Sequence, residues 1–260
     1  QTKDSTLALQ VGIAASFLGG FIEIIGGIAG RWIVTYVPNA ALMGNMASAG
    51  LVWLSVVGIA MVFDKPVYGL LPMLIIIMDY LGKADKKFQK LPSGLIAIVV
   101  GTVIAWGGGF LTLDNFRLSF ANIGFYPPKP DVFDIVAGFK GLIPFLPVIL
   151  PLQINNFLST LQGLEAAKVA GDAYPERRSM IMDGVSTLTG ALFGSPFPTS
   201  VYFGHPGWKA IDARAGFSVV NAVLYLVLCC TGLTSVLMAA IPTEAVMVLL
   251  VYVGFAVTDN

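Results

Sequence analysis

The sequence predicts an all-α polytopic membrane protein whose helices are interrupted by one stretch that cannot be helical. Three observations carry this. Hydrophobic residues make up 56% of the 260 residues and charged residues 12%, where a soluble domain carries roughly 25% charged residues. Apolar runs long enough to cross a bilayer recur along the chain. Finally, Gly194-Ser-Pro-Phe-Pro-Thr-Ser-Val-Tyr-Phe-Gly-His-Pro-Gly207 lies between apolar helices and holds Pro196, Pro198, Pro206 and the only histidine, His205. Non-helical backbone is tolerated at membrane depth only where protein or a water-filled cavity surrounds it. Interrupted spans of this kind surround solute sites.

Taken in order, the apolar runs predict helices over about 8–30, 39–62, 66–81, 91–107, 141–169, 179–193, 217–240 and 242–257. The 66–81 run is short, so it is either tilted or incomplete. Gly194–Ala213 reads as a half-span, an extended strand followed by a short helix. The segment from about Gly108 to Lys140 reads as the one long loop, stiffened by Tyr126-Pro-Pro-Lys-Pro130. Alternating these spans puts Arg31, Lys83, Lys86, Lys87, Lys90, Arg177, Arg178, Lys209 and Arg214 on one side. Excess Lys and Arg marks the cytoplasmic side. Loops 82–90, 171–178 and 209–215 are therefore expected in the cytoplasm and the protein in the plasma (inner) membrane. Lys65, Arg117, Lys129 and Lys140 fall on the other side. The chain opens on Gln1, and its last apolar run stops at Thr258-Asp259-Asn260, so a fragment of a longer protein is expected.

An internal repeat runs through the chain. Val37-Pro38-Asn-Ala-Ala41-Leu-Met43 leads to Gly50, and Ile241-Pro242-Thr-Glu-Ala245-Val-Met247 leads to Gly254. An odd number of crossings separates the copies, as an inverted-topology repeat requires.

Composition also excludes. Zero net charge argues against a nucleic-acid partner. Cys229 and Cys230 are adjacent in an apolar run and form neither a disulfide framework nor a metal-ligand pattern. No nucleophile–base pair, metal cluster or phosphate loop supports an enzyme, so no catalytic residue, metal or cofactor is expected.

Polar side chains inside apolar helices are functional candidates because burying them is costly. The helix from Pro151 carries Gln153, Asn155, Asn156, Ser159, Thr160, Gln162, Glu165 and Lys168. Asn155, Ser159 and Gln162 share one face, and Glu165 broadens it. Amide side chains both donate and accept, which suits a planar heterocycle, although the same groups serve equally as inter-helix hydrogen bonds. Lys168 is read as snorkelling to the cytoplasmic face. His205 either binds substrate, relays a proton or is held structurally by a backbone carbonyl. A half-helix beginning near Gly204 would turn free N–H groups toward carbonyl or anionic oxygens. Tyr202 and Phe203 offer ring faces for stacking or for packing between helices. Glu23, between Gly19-Gly20 and Gly26-Gly27, either couples a proton or cation or bonds a neighbouring helix. Asp183 is read as ordering its own helix and its neighbours.

Several motifs resemble the xanthine/uracil permeases, the nucleobase–ascorbate transporters or second family of nucleobase–cation symporters. They are Gln162-Gly-Leu-Glu-Ala-Ala-Lys-Val-Ala-Gly-Asp172, Arg178-Ser-Met180, Asp183-Gly184, Gly190-Ala-Leu-Phe-Gly-Ser195 and Pro198-Thr-Ser-Val-Tyr202. The resemblance implies a seven-plus-seven inverted-repeat transporter fold with core and gate domains, of which this chain holds segments four to twelve. It implies core parts at 1–30 and 141–240, gate helices at 31–107 and 241–260, and an extracytoplasmic linker at 108–140. Gln162 stands where the family carries a substrate carboxylate, Tyr202 matches its tyrosine, and Gly204 replaces an acidic or amide residue. The resemblance thus carries over Gln162, Tyr202, Gly204 and His205; together with Asn155, Glu165 and Phe203 from the residues themselves they form the expected substrate-binding set, with Glu23, Glu165 and His205 as the expected coupling groups. The expected activity is secondary-active, proton-coupled (or sodium-coupled) uptake of a nucleobase or similar planar solute, in a lipid bilayer and with a homodimer as one arrangement. The alternatives are a sulfate- or bicarbonate-type anion carrier of the same fold, a channel, or an inactive fragment.

Overall fold

The structure is a computed structural model that describes residues 5–36, 44, 47–48, 50–82, 92–201, 204–205, 209 and 214–258. Its helices are α1 (Ser5–Tyr36), a π-helical segment (Gly50–Val56) running into α2 (Val57–Asp64), α3 (Pro66–Gly82), α4 (Ser93–Gly107), α5 (Leu113–Ser119), α6 (Val132–Leu142), α7 (Leu146–Val169), α8 (Glu176–Leu192), α9 (Gly216–Thr231), α10 (Leu233–Ala240) and α11 (Thr243–Thr258). No strand occurs among the described residues. The chain divides into two compact units, 1–45 with 128–212 and 46–127 with 213–260.

The first unit is built from α1, α6, α7 and α8. Small residues on α1 let three helices approach it closely. A Cβ on Gly20 would lie 2.9 Å from the Gly184 carbonyl oxygen, and one on Gly184 would lie 2.7 Å from that of Gly20, so α1 and α8 cross backbone to backbone. Gly27 faces Met180 and Gly12 faces Pro196, which makes α1 and α8 antiparallel. Gly19 and Gly26 receive Gln153 and Phe157 of α7, which runs parallel to α1. Without a hydrophobic drive between helices in lipid, packing of this small-residue kind holds them together. Phe157, Leu161, Leu164 and Met180 form one buried cluster, and Ala14, Ala15, Leu142 and Ile149 another. The Gly194–Ala213 break departs from the expected strand. Its described residues 195–201 pair with no strand, Gly204 lies in a turn and His205 is helical.

The second unit packs on α11, whose Ala245, Val248 and Val251 are buried. A Cβ on Gly58 would lie 3.0 Å from the Met247 carbonyl oxygen, and one on Gly101 would lie 2.5 Å from the Ala245 Cβ. Trp106 Nε1 donates to the Ala240 carbonyl at 3.0 Å, and Tyr80 donates to that of Phe255 at 3.2 Å. Val37–Met43, the first copy of the repeat, lies outside the described residues. The second copy starts α11 just after Pro242.

Two expectations change here. The 108–140 segment is not one loop: it holds α5, a 3₁₀ turn at Phe120–Asn122 and most of α6. The first of these helices is too short to show as a span, and α6 runs on through a 3₁₀ turn at Ile143–Phe145 into α7, as one apolar helical run over Val132–Val169. Thr112 and Asp131 cap α5 and α6 by accepting from the N–H groups of Asn115 and Asp134. The expected 217–240 helix is broken into α9 and α10, bent by 98° at Gly232. Gly232 takes φ 72°, and a Cβ there would lie 2.1 Å from the Asn122 carbonyl oxygen, so the turn demands glycine on both counts. The unit boundaries follow: 108–127 and 213–240 fall in the second unit, and 128–140 in the first.

Candidate functional site

Polar groups of the first unit converge on one network built around two buried carboxylates. Glu23 on α1 is 1% exposed, and Asp183 on α8 is 9% exposed. Asn156 Nδ2 donates to Glu23 Oε1 and, at 2.9 Å, to the carbonyl oxygen of Thr199. Thr187 Oγ1 lies 2.9 Å from Glu23 Oε2 and 2.8 Å from Thr199 Oγ1, and accepts from the Thr199 N–H at 3.0 Å. Thr199 Oγ1 lies 2.9 Å from Asp183 Oδ1 and 3.1 Å from the Asp183 carbonyl oxygen. Thr160 of α7 donates to Asp183 Oδ2.

Local sequence explains the convergence. Asp183 and Thr187 are one turn apart on α8, as are Asn156 and Thr160 on α7, so each pair faces one way. Glu23 points into the same space from between the glycine pairs of α1. Thr199 arrives on backbone that Pro196 and Pro198 keep out of a helix. The interrupted stretch therefore does run along the amide-bearing helix. It meets α7 at Asn156 and again at Gly163, where a Cβ would lie 3.1 Å from the Val201 carbonyl oxygen.

The expected site residues are distributed differently. Gln162 is buried at 2% exposure. Glu165 is equally buried, and Lys168 pairs with it at 3.1 Å while remaining half exposed, so the lysine serves as a counter-ion as well as reaching outward. Asn155 is exposed. Tyr202 and Phe203 lie outside the described residues. His205 is held beyond the C-terminal end of α7, where its Nε2 lies 2.8 Å from Asp172 Oδ2 and the edge of its ring meets Tyr174. Lys209 Nζ lies 2.7 Å from Asp172 Oδ1. The hydrogen bond from Lys209, then that from His205, holds the Asp172 carboxyl below its ordinary range. His205 thus belongs to a polar cluster at the α7–α8 turn, with Gly204 beside it in a turn of the chain, and Glu23 belongs to the network around Thr187.

Sequence reading passed over Thr187, Thr199 and the central place of Asn156. Their signal was present: a threonine one turn after Asp183, and another between two prolines. Among the described residues no cluster of His, Cys, Asp and Glu could hold a metal ion.

No family model matches the chain, and no curated protein matches it. A solved structure does: the transmembrane domain of a cyanobacterium bicarbonate transporter, BicA, aligns with a TM-score of 0.65 at 19% identity, over 96% of this chain and 68% of that one. The chain has the inverted-repeat transporter fold and is an integral membrane protein. The resemblance to xanthine/uracil permeases is supported at the level of this fold.

Proposed function

We propose that this chain is the transport domain, or most of it, of a secondary-active carrier for a small anion of the bicarbonate kind, working by alternating access. The observation that carries the reading is the likeness to a bicarbonate transporter's transmembrane domain over nearly the whole chain. The polar chemistry agrees with a carrier. A membrane unit that buries two carboxylates and two threonines beside non-helical backbone has accepted several kcal/mol of polar burial. The first unit takes the role of the core and the second that of the gate.

The nucleobase reading is second. It keeps the motifs that resemble the permeases, but its expected clasp is engaged elsewhere: Glu165 by Lys168, and His205 by Asp172. The test is uptake into liposomes by the purified full-length protein, with labelled bicarbonate, sulfate, uracil and xanthine. Saturable bicarbonate uptake that excess bicarbonate competes and uracil does not is the expected result. Uptake of uracil or xanthine without anion uptake would return the assignment to the nucleobases. Flux that never saturates would make the protein a channel.

A further inference from the structure

We propose that Glu23 and Asp183 share one transferable proton, carried between them by the hydroxyls of Thr187 and Thr199. This deepens the carrier reading by naming its coupling ion, and it depends on that reading only for the proton's role in transport.

The contacts in this network outnumber the hydroxyl protons. Glu23 Oε2, Thr187 Oγ1, Thr199 Oγ1 and Asp183 Oδ1 form a chain with successive separations of 2.9, 2.8 and 2.9 Å. Three oxygen–oxygen contacts at hydrogen-bonding distance need three protons. Each hydroxyl donates one, so Thr187 and Thr199 supply two. The neighbouring donors are committed elsewhere. Asn156 bonds Glu23 Oε1 and the Thr199 carbonyl, the Thr199 N–H fills a lone pair of Thr187, and Thr160 bonds Asp183 Oδ2. Without a third proton, two of these oxygens would face each other lone pair to lone pair at 2.8–2.9 Å with no hydrogen between them, an unfavourable contact. The third proton therefore sits on a carboxyl at one end of the chain.

Two arrangements satisfy the three contacts of the chain, and in the one where Thr199 donates to Asp183 its proton is shared with the Asp183 carbonyl at 3.1 Å. With the proton on Asp183, Asp183 donates to Thr199, Thr199 to Thr187, and Thr187 to Glu23. With it on Glu23, all three bonds reverse. Passing between them breaks one O–H bond at the donor carboxyl and one at each hydroxyl. It forms one at each hydroxyl and one at the acceptor carboxyl, and the single negative charge moves the opposite way. Among the described residues no other titratable group faces the chain. From α7 come Asn156 and Thr160, and from the non-helical stretch comes Thr199. The α6 contact to α1 places Asp134 on Gln10 at 2.8 Å, more than three helical turns from Glu23, and Glu165 is taken by Lys168. Thr199 is the exposed member, so protons enter there. It is also the member that no helix holds. Withdrawal of 195–201 would break its contacts to Thr187 and Asp183 at once and strand the proton at one end, tying protonation to the seating of the interrupted stretch.

Infrared difference spectroscopy of the full-length protein in lipid, without any substrate, tests this. The wild type should show the carbonyl stretch of a protonated carboxyl, shifted in heavy water. Glu23→Gln and Asp183→Asn should each abolish that band completely, because the new amide supplies the third proton and leaves the remaining carboxyl ionised. Loss of only part of the band in each variant means two independent acids, and persistence of the band means an acid elsewhere. Either overturns the proposal. If the variants do not fold, the wild type decides: a spectrum without a protonated carboxyl, including one in which sodium removes the need for the proton, also overturns it. The band is read without transport, so failed uptake would sink the carrier reading and leave the shared proton standing.

Discussion

Replacing Gly138 by Ala tests the packing that carries the first unit. Gly138 lies on α6 against α1, and a Cβ there would sit 2.0 Å from the Gln10 carbonyl oxygen, 2.5 Å from its carbonyl carbon and 2.9 Å from the Ala14 Cβ. Ordinary contact begins at 3.4 Å, so α6 must move by more than an ångström. No rotamer relieves the clash, because its partner is backbone. The shift would loosen Ile135 and Leu142, buried at 4% and 3% exposure, from Ile13 and Ala14, at 1% and 0%. Overpacking costs about 1–3 kcal/mol, and the backbone partner puts this case at the upper end, about 3 kcal/mol. At roughly 2–4 °C per kcal/mol for a chain of this size, the apparent melting temperature in detergent should fall by about 6–12 °C. Gly107→Ala is the control: nothing lies within 4 Å of its Cβ position, and it should be neutral or slightly stabilising, by at most about 0.5 kcal/mol. Equal melting temperatures for the two variants would refute the backbone contact between α1 and α6.

Two further predictions concern charges. Lys168→Met should destabilise the protein by about 2–3 kcal/mol, less than the ~3–5 of a wholly buried pair, because Glu165 is 2% exposed but Lys168 is 50% exposed. Adding Glu165→Gln should recover most of the loss, and unchanged unfolding of Lys168→Met would mean that another group holds Glu165. The Asp172 cluster makes a pH prediction with a definite sign. Its carboxyl is depressed below 3.8 in the folded protein, first by Lys209 and then by His205, so its contribution is present above 3.8 and is lost as pH falls through the lower, folded value. Melting curves of wild type and Asp172→Asn should therefore differ at neutral pH and converge only in strong acid. Convergence near neutrality would show that Asp172 is not held this way.

Much of the fold was legible because a bilayer imposes it locally. Apolar runs must be helical in lipid, so α1, α3, α4, α7, α8 and α11 fall close to their sequence expectations. Other features were not legible: α5 has no spanning length, α6 continues into α7 across the Pro144 turn, and the bend at Gly232 depends on the Asn122 carbonyl, which sequence spacing cannot bring near. The candidate site divides the same way. Glu23 stood out as a carboxylate in an apolar helix, whereas Thr187 and Thr199 are small, tolerable residues whose importance lies only in what they touch.

Composition and local pattern suffice to put this chain in a membrane, to make its spans helical and to force one stretch near Pro196 and Pro198 out of the helix, since the cost of burying unpaired backbone acts residue by residue. Tertiary structure alone decided which polar groups meet: Asn156 and Thr187 around Glu23, Thr199 on Asp183, and His205 away with Asp172. Hydrogen bonds act over about 3 Å, and Glu23, more than a hundred positions from Asn156 and Thr187, reaches them only once the helices that carry them have packed.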